Sequence, residues 1–277
     1  MNKQAILAIA KKDIRAISAN VQVWLPMLII PAIMGVLLPG GIIGAIALFG
    51  TGFDNDMQQI AGWVDKMPAG SLTAYLAGLP TLDHKVAFLA ANYMLAPFFL
   101  LIPLMTASVI AADSFAGEKE RGTLETILFA PVDLLSLFLG KILSAFVPAV
   151  GLSLGTFVLC GITVNLAGWS LFHGLFFPHV NWLPLMLLVI PMISLAAILF
   201  NVFISARVAT FQAAYQMGGM VVLPFLLLLA GQATGVLMMD TVVALIIGLV
   251  LAALNAALLQ MLLRKLNRNL LFESQVR

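Results

Sequence analysis

Long uninterrupted apolar runs are the feature that most constrains the fold of this 277-residue chain. Several of them reach the roughly 20 residues that one helix needs to cross a bilayer. Hydrophobic residues make up 62% of the sequence and the mean hydropathy is +1.09, whereas soluble domains are about 45–50% apolar. Transmembrane β-strands would give short, alternating segments instead. The sequence therefore predicts an all-α, polytopic membrane protein.

Six transmembrane helices are predicted from where the apolar runs begin and end. The first contains Pro26, Pro31 and Pro39, so we expect it to be kinked or broken. The third begins just after Pro131, a residue suited to the first turn of a helix. The predicted spans are residues 23–49, 86–112, 132–164, 184–205, 211–230 and 241–263.

Lysine and arginine are distributed unequally between the two sides of a six-span arrangement. Twelve of the 14 fall on the side that holds both termini, and only Lys66 and Lys85 fall on the other. Because cytoplasmic loops carry an excess of Lys and Arg, both termini and the segment 113–131 are predicted to be cytoplasmic. The expected location is the inner or plasma membrane of a prokaryotic cell. A net charge of +2 gives no sign of a nucleic-acid partner.

Two segments outside the spans are expected at the membrane surface. In residues 1–20, apolar side chains repeat every three or four positions, and Lys11, Lys12 and Arg15 occupy other faces. This pattern predicts an amphipathic helix in the interface plane, with a plain cytosolic extension of the first span as the alternative. The loop 165–183 carries five Trp and Phe residues and is expected at the level of the lipid headgroups. No loop is long enough for a soluble domain, so residues 1–277 form one transmembrane domain.

Motifs for common enzymatic chemistries are missing from the sequence. No G-x-x-x-x-G-K-[ST] phosphate loop and no H-E-x-x-H zinc motif occurs. His173 and His179, six residues apart, are interpreted as loop histidines rather than metal ligands. No pair of carboxylates lies mid-span, although ion-coupled carriers usually need one. Lys141 is about 10 Å into the third span and is expected to snorkel to the cytoplasmic side. We predict no catalytic, cofactor-binding or metal site in this chain.

The densest run of charge lies between the second and third spans, where five ionisable residues fall from Glu118 to Glu125. We expect Asp113 to mark the exit of the second span into water. Arg121 lies three residues after Glu118 and four before Glu125, a spacing that predicts ion pairs on a helix. Gly122 lowers helix propensity and predicts a bend. A charged segment of this kind would be available to a soluble partner.

A family resemblance covers this charged run. The sequence EKERGTLE at residues 118–125, followed by Leu128 and Pro131, resembles the pattern E-[KR]-E-x-G-T-[LM]-E-x-L-L-x-x-P of type-two ATP-binding-cassette (ABC) exporter permeases. The chain departs from the pattern only in ordinary ways, within residues 126–128. A second patch, residues 204–216, is similar to that family's link between the fourth and fifth spans. The six-span layout and the helix ahead of the first span also fit, so the resemblance covers nearly the whole chain.

The resemblance implies a permease subunit of an ATP-driven exporter that has no ATPase of its own. A second permease, identical or related, would complete the translocation path, and a separate cytoplasmic ABC ATPase would bind ATP and Mg²⁺. The segment 113–131 would be the coupling helix that docks on that ATPase. The residues implied at or near this contact are Glu118, Lys119, Glu120, Arg121, Gly122, Thr123 and Glu125, with Arg207 at the second cytoplasmic turn.

Polar residues in the second and fifth spans are candidates for lining the path, because the resemblance implies that these two spans face the central cleft. Helix packing explains the same residues equally well. They are Asn92, Tyr93, Thr106, Gln212, Tyr215 and Gln216. Few charges lie inside the spans, so we expect an amphipathic or hydrophobic substrate such as a lipid, drug or antimicrobial peptide. The alternatives are a sodium-exporting ABC permease, an ion-coupled secondary transporter, and a membrane scaffold or immunity factor.

Overall fold

The computed structural model describes residues 3–53, 71–123, 133–233 and 240–265. Within these ranges the chain is predominantly helical and contains no strand. Five helices among the described residues are long and apolar enough to cross a membrane. The predicted all-α, polytopic fold is therefore confirmed.

Seven long helices make up the described part of the chain, and we number them in chain order. They are α1 (Lys3–Ala19), α2 (21–49), α3 (Leu82–Glu120), α4 (Leu134–Ala167), α5 (Trp182–Ser205), α6 (211–233) and α7 (Thr241–Lys265). The five that meet the length and composition needed to span a membrane are α2, α3, α4, α5 and α7. Shorter helices lie at Thr51–Phe53, Ser71–Ala77 and Trp169–Phe172.

The winding of α2 changes midway, as its prolines predicted. Val21–Ile30 is α-helical, Pro31–Leu37 is π-helical and Leu38–Phe49 is α-helical again. Proline lacks the backbone N–H of an α-helical hydrogen bond and its ring crowds the preceding turn. A locally wider turn relieves that crowding without ending the helix.

The helix α3 is 39 residues long, which exceeds the predicted span 86–112. Two π-helical turns, Ala90–Met94 and Asp113–Gly117, interrupt it. The helix continues past Asp113 to Glu120, and residues 113–118 are buried. The prediction that Asp113 marks an exit into water is wrong, because Asp113 is buried and pairs with Arg121, and Glu118 is buried and pairs with Lys12 and Lys141 from other helices.

The predicted fifth span, α6, is built from three pieces. Phe211–Gly218 is α-helical, Gly219–Val222 forms a 3₁₀ turn and Leu223–Ala233 is α-helical. It is not among the five helices that qualify as spans, so the count of six stays a prediction. A Cβ at Gly218 would lie 2.5 Å from Asn201 Oδ1 of α5, so this close approach of the two helices requires glycine.

The centre of the bundle is formed by α3 and α5, whose hydrophobic side chains are mostly buried. The outer faces of α2, α4 and α7 instead expose Leu, Ile and Val. Lipid tails are as apolar as these side chains, so exposed apolar faces are stable only on helices that meet the bilayer. The burial pattern therefore agrees with a membrane location.

At one end of the bundle, which we call the aromatic end (residues 71–95 and 165–182), the loop after α4 folds back into the protein. Phe176, Phe177 and Trp182 are buried there. The Trp182 ring lies 5.5 Å from Phe99 of α3 and 5.2 Å from Phe157 of α4, measured between ring centroids. These three rings therefore face the protein, and the placement of the loop at the headgroup level stays a prediction.

Two buried asparagines hold this loop in place. Asn165 Oδ1 accepts hydrogen bonds from the amides of Phe176 and Phe177 at 3.0 and 3.2 Å, and its Nδ2 donates to the Phe177 carbonyl at 2.6 Å. Asn92 donates to the Phe176 carbonyl at 3.2 Å and accepts from the His179 amide at 2.8 Å. Irregular backbone at membrane depth needs such partners, and an amide side chain supplies both a donor and an acceptor.

The opposite end, which we call the basic end, brings together α1, the end of α3, the start of α4 and the turn 206–210 between α5 and α6. The prediction of a helix in residues 1–20 is confirmed over Lys3–Ala19. Its apolar stripe packs on α4, where a Cβ at Gly140 would lie 2.9 Å from Ile9 Cβ. This packing holds α1 against the bundle, while its placement in the membrane interface stays a prediction.

Candidate functional site

A buried network of charges joins three helices at the basic end. Glu118 at the end of α3 is 5% exposed and accepts hydrogen bonds from Lys12 of α1, at 2.8 Å, and from Lys141 of α4. Lys141 is 1% exposed, and its Nζ also donates to the Ser114 carbonyl at 2.6 Å. The Lys141 ammonium therefore donates its hydrogen bonds to groups inside the protein rather than to water.

The fourth charge of this network is Asp13 of α1, which lies on the buried face of that helix. Its Oδ2 accepts from the Ser114 hydroxyl at 3.0 Å and lies 3.5 Å from Lys141 Nζ, and its Oδ1 lies 3.4 Å from Lys12 Nζ. We call Lys12, Asp13, Glu118 and Lys141 the charge cluster. Its two acids and two bases balance, which matters because a buried charge without a partner is strongly destabilising.

The outermost member of the charge cluster is Lys12, whose side chain is 55% exposed. Burial alone would lower the pKa of its ammonium group, but the hydrogen bond and charge of Glu118, together with Asp13, outweigh that effect and raise the pKa above its ordinary value. Lys12 therefore stays positively charged at physiological pH and continues to neutralise Glu118.

A second ion pair folds the end of α3 back on itself. Arg121 Nη1 donates to Asp113 Oδ1 at 2.9 Å. Gly117 lies under this pair, since a Cβ there would be 2.8 Å from Asp113 Oδ1 and 3.1 Å from Arg121 Nη1. The helix ends at Glu120, and Gly122, where the sequence predicts a bend, has a φ of +67° that favours glycine. The Thr123 hydroxyl donates to the Glu118 carbonyl at 3.2 Å and caps this end.

The same segment also contacts the turn between α5 and α6. Lys119 Nζ donates to the Val208 carbonyl at 3.2 Å, and Glu120 Oε2 accepts from the Phe211 amide at 2.8 Å. The two sequence patches that resemble one family, 118–125 and 204–216, therefore meet in three dimensions. Within three residues, α3 is tied to α1, to α4 and to the start of α6.

Comparison with models of protein families gives a match to the ABC-2 family transporter protein over residues 7–272. The match includes the charge cluster, the segment that follows it and all seven helices except the first four residues of α1. The chain belongs to the ABC-2 family of transporter proteins. A search of curated proteins and a search of solved structures give no match.

Membership of the family makes this chain a permease subunit of an ABC transporter and a multi-pass membrane protein. The resemblance carried by the charged motif is thereby confirmed. ABC-2 permeases normally have no ATPase activity of their own and generally work with an ATPase subunit. The family therefore favours the ABC permease over the ion-coupled carrier.

The predicted coupling residues of the ABC-2 permease fall into two groups. Glu118 is buried and Lys119 is half-buried, and both make contacts within the chain. The exposed members are Glu120, Arg121, Gly122, Thr123 and Arg207. Glu125 lies outside the described residues. A soluble subunit approaching the basic end would meet the exposed group first.

Of the two ion pairs predicted from helical spacing, one can be compared with the structure, because Glu125, the predicted second partner of Arg121, lies outside the described residues. Glu118 pairs with Lys12 and Lys141 rather than with Arg121, and Arg121 pairs with Asp113. The prediction of a Glu118–Arg121 pair is therefore wrong, and so is the prediction that Lys141 snorkels to water. Local spacing identifies which side chains share a helix face, but a buried partner on another helix competes successfully with a neighbour exposed to water.

The candidate path residues also divide in the ABC-2 permease. Those of α3 are buried inside the chain, and Asn92 uses both ends of its amide to hold the loop at the aromatic end. Gln212 and Gln216 on α6 are exposed, and Tyr215 is half-buried. Tyr93 and Thr106 are buried as well. In a single permease, only the α6 residues lie where a substrate or a second subunit reaches them.

Sequence reasoning missed the two deepest members of the charge cluster. Asp13 is the only acid before Asp54 and lies on the apolar stripe of α1 with Ala10 and Ile17, and Lys141 lies within an apolar run. The available signal was that Asp13 and Lys141 each lie among apolar residues. A charge in such a position is expected to be buried and therefore to need a partner of opposite sign. Among the residues that the structure describes, no group of three His, Cys, Asp or Glu side chains is placed to hold a metal ion.

Proposed function

We propose that this permease is the membrane half of an ATP-driven exporter and that a separate ABC ATPase docks at its basic end. The observation that carries the proposal is the set of contacts made by Glu118, Lys119 and Glu120. These consecutive residues bind α1, α4 and the α5–α6 turn. A displacement of this short segment is therefore transmitted to helices on both sides of α3.

The docking surface consists of Glu120, Arg121, Gly122, Thr123 and Arg207, all of which are exposed. It carries one carboxylate and two guanidinium groups, so complementary charges on an ATPase would orient it. Residues 124–131, which include Glu125, continue the same motif beyond the described residues. Family membership supports an ATPase as the occupant, because ABC-2 permeases generally work with one.

The charge cluster gives the segment the stiffness that coupling needs. Separating Glu118 from Lys141 would leave Glu118 with the half-exposed Lys12 and Lys141 with Asp13 as their only ion-pair partners, and weakening a buried charge pair in this way is costly. The end of α3, α1 and the start of α4 therefore move together. In the proposed mechanism, ATP and Mg²⁺ bind to two ATPase subunits, whose closure pulls on the docking surfaces of two permeases and switches the path between its inward and outward states.

A second permease, identical or related, is proposed to face α6. Gln212 and Gln216 are exposed there at a spacing of one helical turn, and polar side chains inside a membrane usually face a path or another helix. Residues 211–233 contain no Asp, Glu, Lys or Arg. This composition supports an amphipathic or hydrophobic substrate, such as a lipid, drug or antimicrobial peptide, rather than a strongly charged one.

The proposed orientation has both termini and the docking surface in the cytoplasm of a prokaryotic cell. The bias in the positions of Lys and Arg supports it, since 12 of 14 fall on that side of the six-span arrangement. ATP is available on the same side, so the docking surface and the ATP that the ATPase uses would be in the same compartment.

Co-purification with a candidate ABC ATPase, taken from the genes that neighbour the permease gene, tests the proposal. Arg207→Glu reverses an exposed charge of the docking surface, and we expect it to reduce ATPase capture about tenfold, because like charges then face each other. Lys11→Glu is the matched control, since Lys11 is exposed on α1 outside that surface. Failure of the wild-type permease to capture the ATPase, or equal capture by Arg207→Glu and wild type, would contradict the proposal.

A further inference from the structure

Two neighbouring residues at the end of α3 contact the two sides of one turn. Lys119 Nζ donates to the Val208 carbonyl at 3.2 Å, and Glu120 Oε2 accepts from the Phe211 amide at 2.8 Å. Val208 follows the end of α5, and Phe211 is the first residue of α6. About 90 residues of chain separate each pair, so these contacts exist only in the folded bundle.

The signs of the two charges match the helix ends that they contact. The C-terminal carbonyls of a helix carry partial negative charge and the N-terminal amides carry partial positive charge. Lys119 lies beside the carbonyl that follows α5, and Glu120 lies at the first amide of α6. The Thr210 hydroxyl accepts from the Ala213 amide at 3.2 Å. Glu120 and Thr210 thus satisfy different amides of the same first turn.

A close apolar contact lies beneath this turn. Ala112 and Ala116 of α3 pack with Ile204 of α5 and Ala214 of α6, and Phe211 and Tyr215 border the group. Alanine allows helix backbones to approach closely. With the apolar contact on one side and the two polar contacts on the other, the start of α6 has little freedom to slide along α3.

We infer that Lys119 and Glu120 form a latch that positions the start of α6 and makes it follow the docking surface. Both are positioning residues, because they act on Gln212 and Gln216 through the α6 backbone. The inference rests on the proposed function in one respect, since it names the internal route by which ATPase movement reaches α6. The latch itself is a property of the isolated chain.

The latch also explains why three successive residues differ in burial. Glu118 points to α1 and α4 and is buried, whereas Lys119 and Glu120 point to the α5–α6 turn and are half-buried and exposed. A movement of these three residues is thereby transmitted to helices on both sides of α3.

Hydrogen–deuterium exchange of the purified full-length permease tests the latch without any partner. In Glu120→Ala, we expect the backbone amides of residues 211–216 to exchange about tenfold faster, because a hydrogen bond to a charged acceptor is lost. Glu120→Gln keeps an acceptor without the charge and should fall between that variant and wild type. Arg207→Gln changes an exposed residue of the same turn and should leave this exchange unchanged.

A double variant, Lys119→Glu/Glu120→Lys, keeps the net charge but places the wrong sign at both helix ends. We expect its residues 211–216 to exchange as fast as those of Glu120→Ala. Exchange equal to that of wild type in both Glu120→Ala and the double variant would overturn the latch.

A second measurement uses the permease bound to its neighbouring ATPase, with exchange of residues 211–216 compared with and without ATP. Wild type should show an ATP-dependent change, and Lys119→Ala, which leaves every residue of the docking surface in place, should capture the ATPase yet weaken that change. Lost capture with unchanged exchange would instead make Lys119 a docking residue and overturn the latch. If wild type captures no ATPase, the proposed function fails, while exchange of the isolated permease still supports or overturns the latch.

Discussion

The two ends of the bundle bury polar groups in opposite ways. At the basic end, four charged side chains from three helices neutralise one another. At the aromatic end, Asn92 and Asn165 satisfy the backbone of a loop whose rings fill the space between helices. Charge pairs retain an exposed partner and an adjoining surface, whereas the aromatic packing encloses its polar groups. The proposed docking of an ATPase at the basic end depends on this difference, because only that end keeps charged side chains at an accessible surface.

The largest expected effect comes from the centre of the charge cluster. Lys141→Met leaves Glu118 and Asp13 without their buried cation, and we expect the free energy of unfolding to fall by about 3–5 kcal/mol. Thermal or denaturant unfolding of the purified permease measures the loss. The double variant Glu118→Gln/Lys141→Met removes one charge of each sign and should recover part of it. A loss below about 1 kcal/mol in the single variant would show that water or lipid headgroups reach the cluster.

An intermediate effect is expected at the aromatic end. Asn165→Ala removes the partners of two amides and one carbonyl in the loop, and we expect a loss of about 2–3 kcal/mol in the free energy of unfolding, since buried backbone groups are left unpaired. The same unfolding assay measures it. Asn255→Ala, which removes a hydrogen bond from the lipid-facing helix α7 to the Met192 carbonyl of α5, provides a control outside the loop. Equal losses of the free energy of unfolding in the two variants would contradict a special role of Asn165 in stabilising the loop.

The smallest effect is expected from a charge that is exposed at the basic end. Asp133 caps α4, and hydrogen bonds from the Ser136 hydroxyl and amide lower the pKa of its carboxyl below the ordinary value of 3.8. Because the folded-state pKa is the lower one, the stabilisation is complete above pH 3.8 and is lost as pH falls through the folded-state value. Asp133→Ala should therefore destabilise the permease slightly at neutral pH, in the unfolding assay, and the difference should shrink below that pH. If Asp133→Ala lowers the free energy of unfolding as much as Lys141→Met does, burial does not explain the difference expected between the two sites.

The sequence predicted the helices of the permease better than it predicted their contacts. The predicted spans 184–205 and 241–263 agree with α5 and α7 to within a few residues, because apolar length is a local property. The predicted end of the second span was eight residues short, since Asp113 and Glu118 looked like water-facing charges. Their partners are Arg121, Lys12 and Lys141, but no local sequence pattern pairs these bases with Asp113 and Glu118.

The candidate site shows the same division. The motif at residues 118–125 identified the segment that joins the helices, and Gly122 was correctly assigned to its bend. The roles of Glu118 and Lys119 came only from the structure, which directs one toward α1 and α4 and the other toward the α5–α6 turn. Side chains that look equivalent along the sequence differ because successive helical positions point in different directions.

The sequence by itself determined that this protein is a helical membrane permease of the ABC-2 family, because apolar length and a short motif are contained within single segments. Only the tertiary structure determined which charges are buried and what they bind. Lys12 and Glu118 are 106 residues apart in the chain, and Asp13 and Lys141 are 128 apart. Electrostatic pairing depends on distance in space and on local exclusion of water. Neither quantity can be determined from the spacing of residues along a chain.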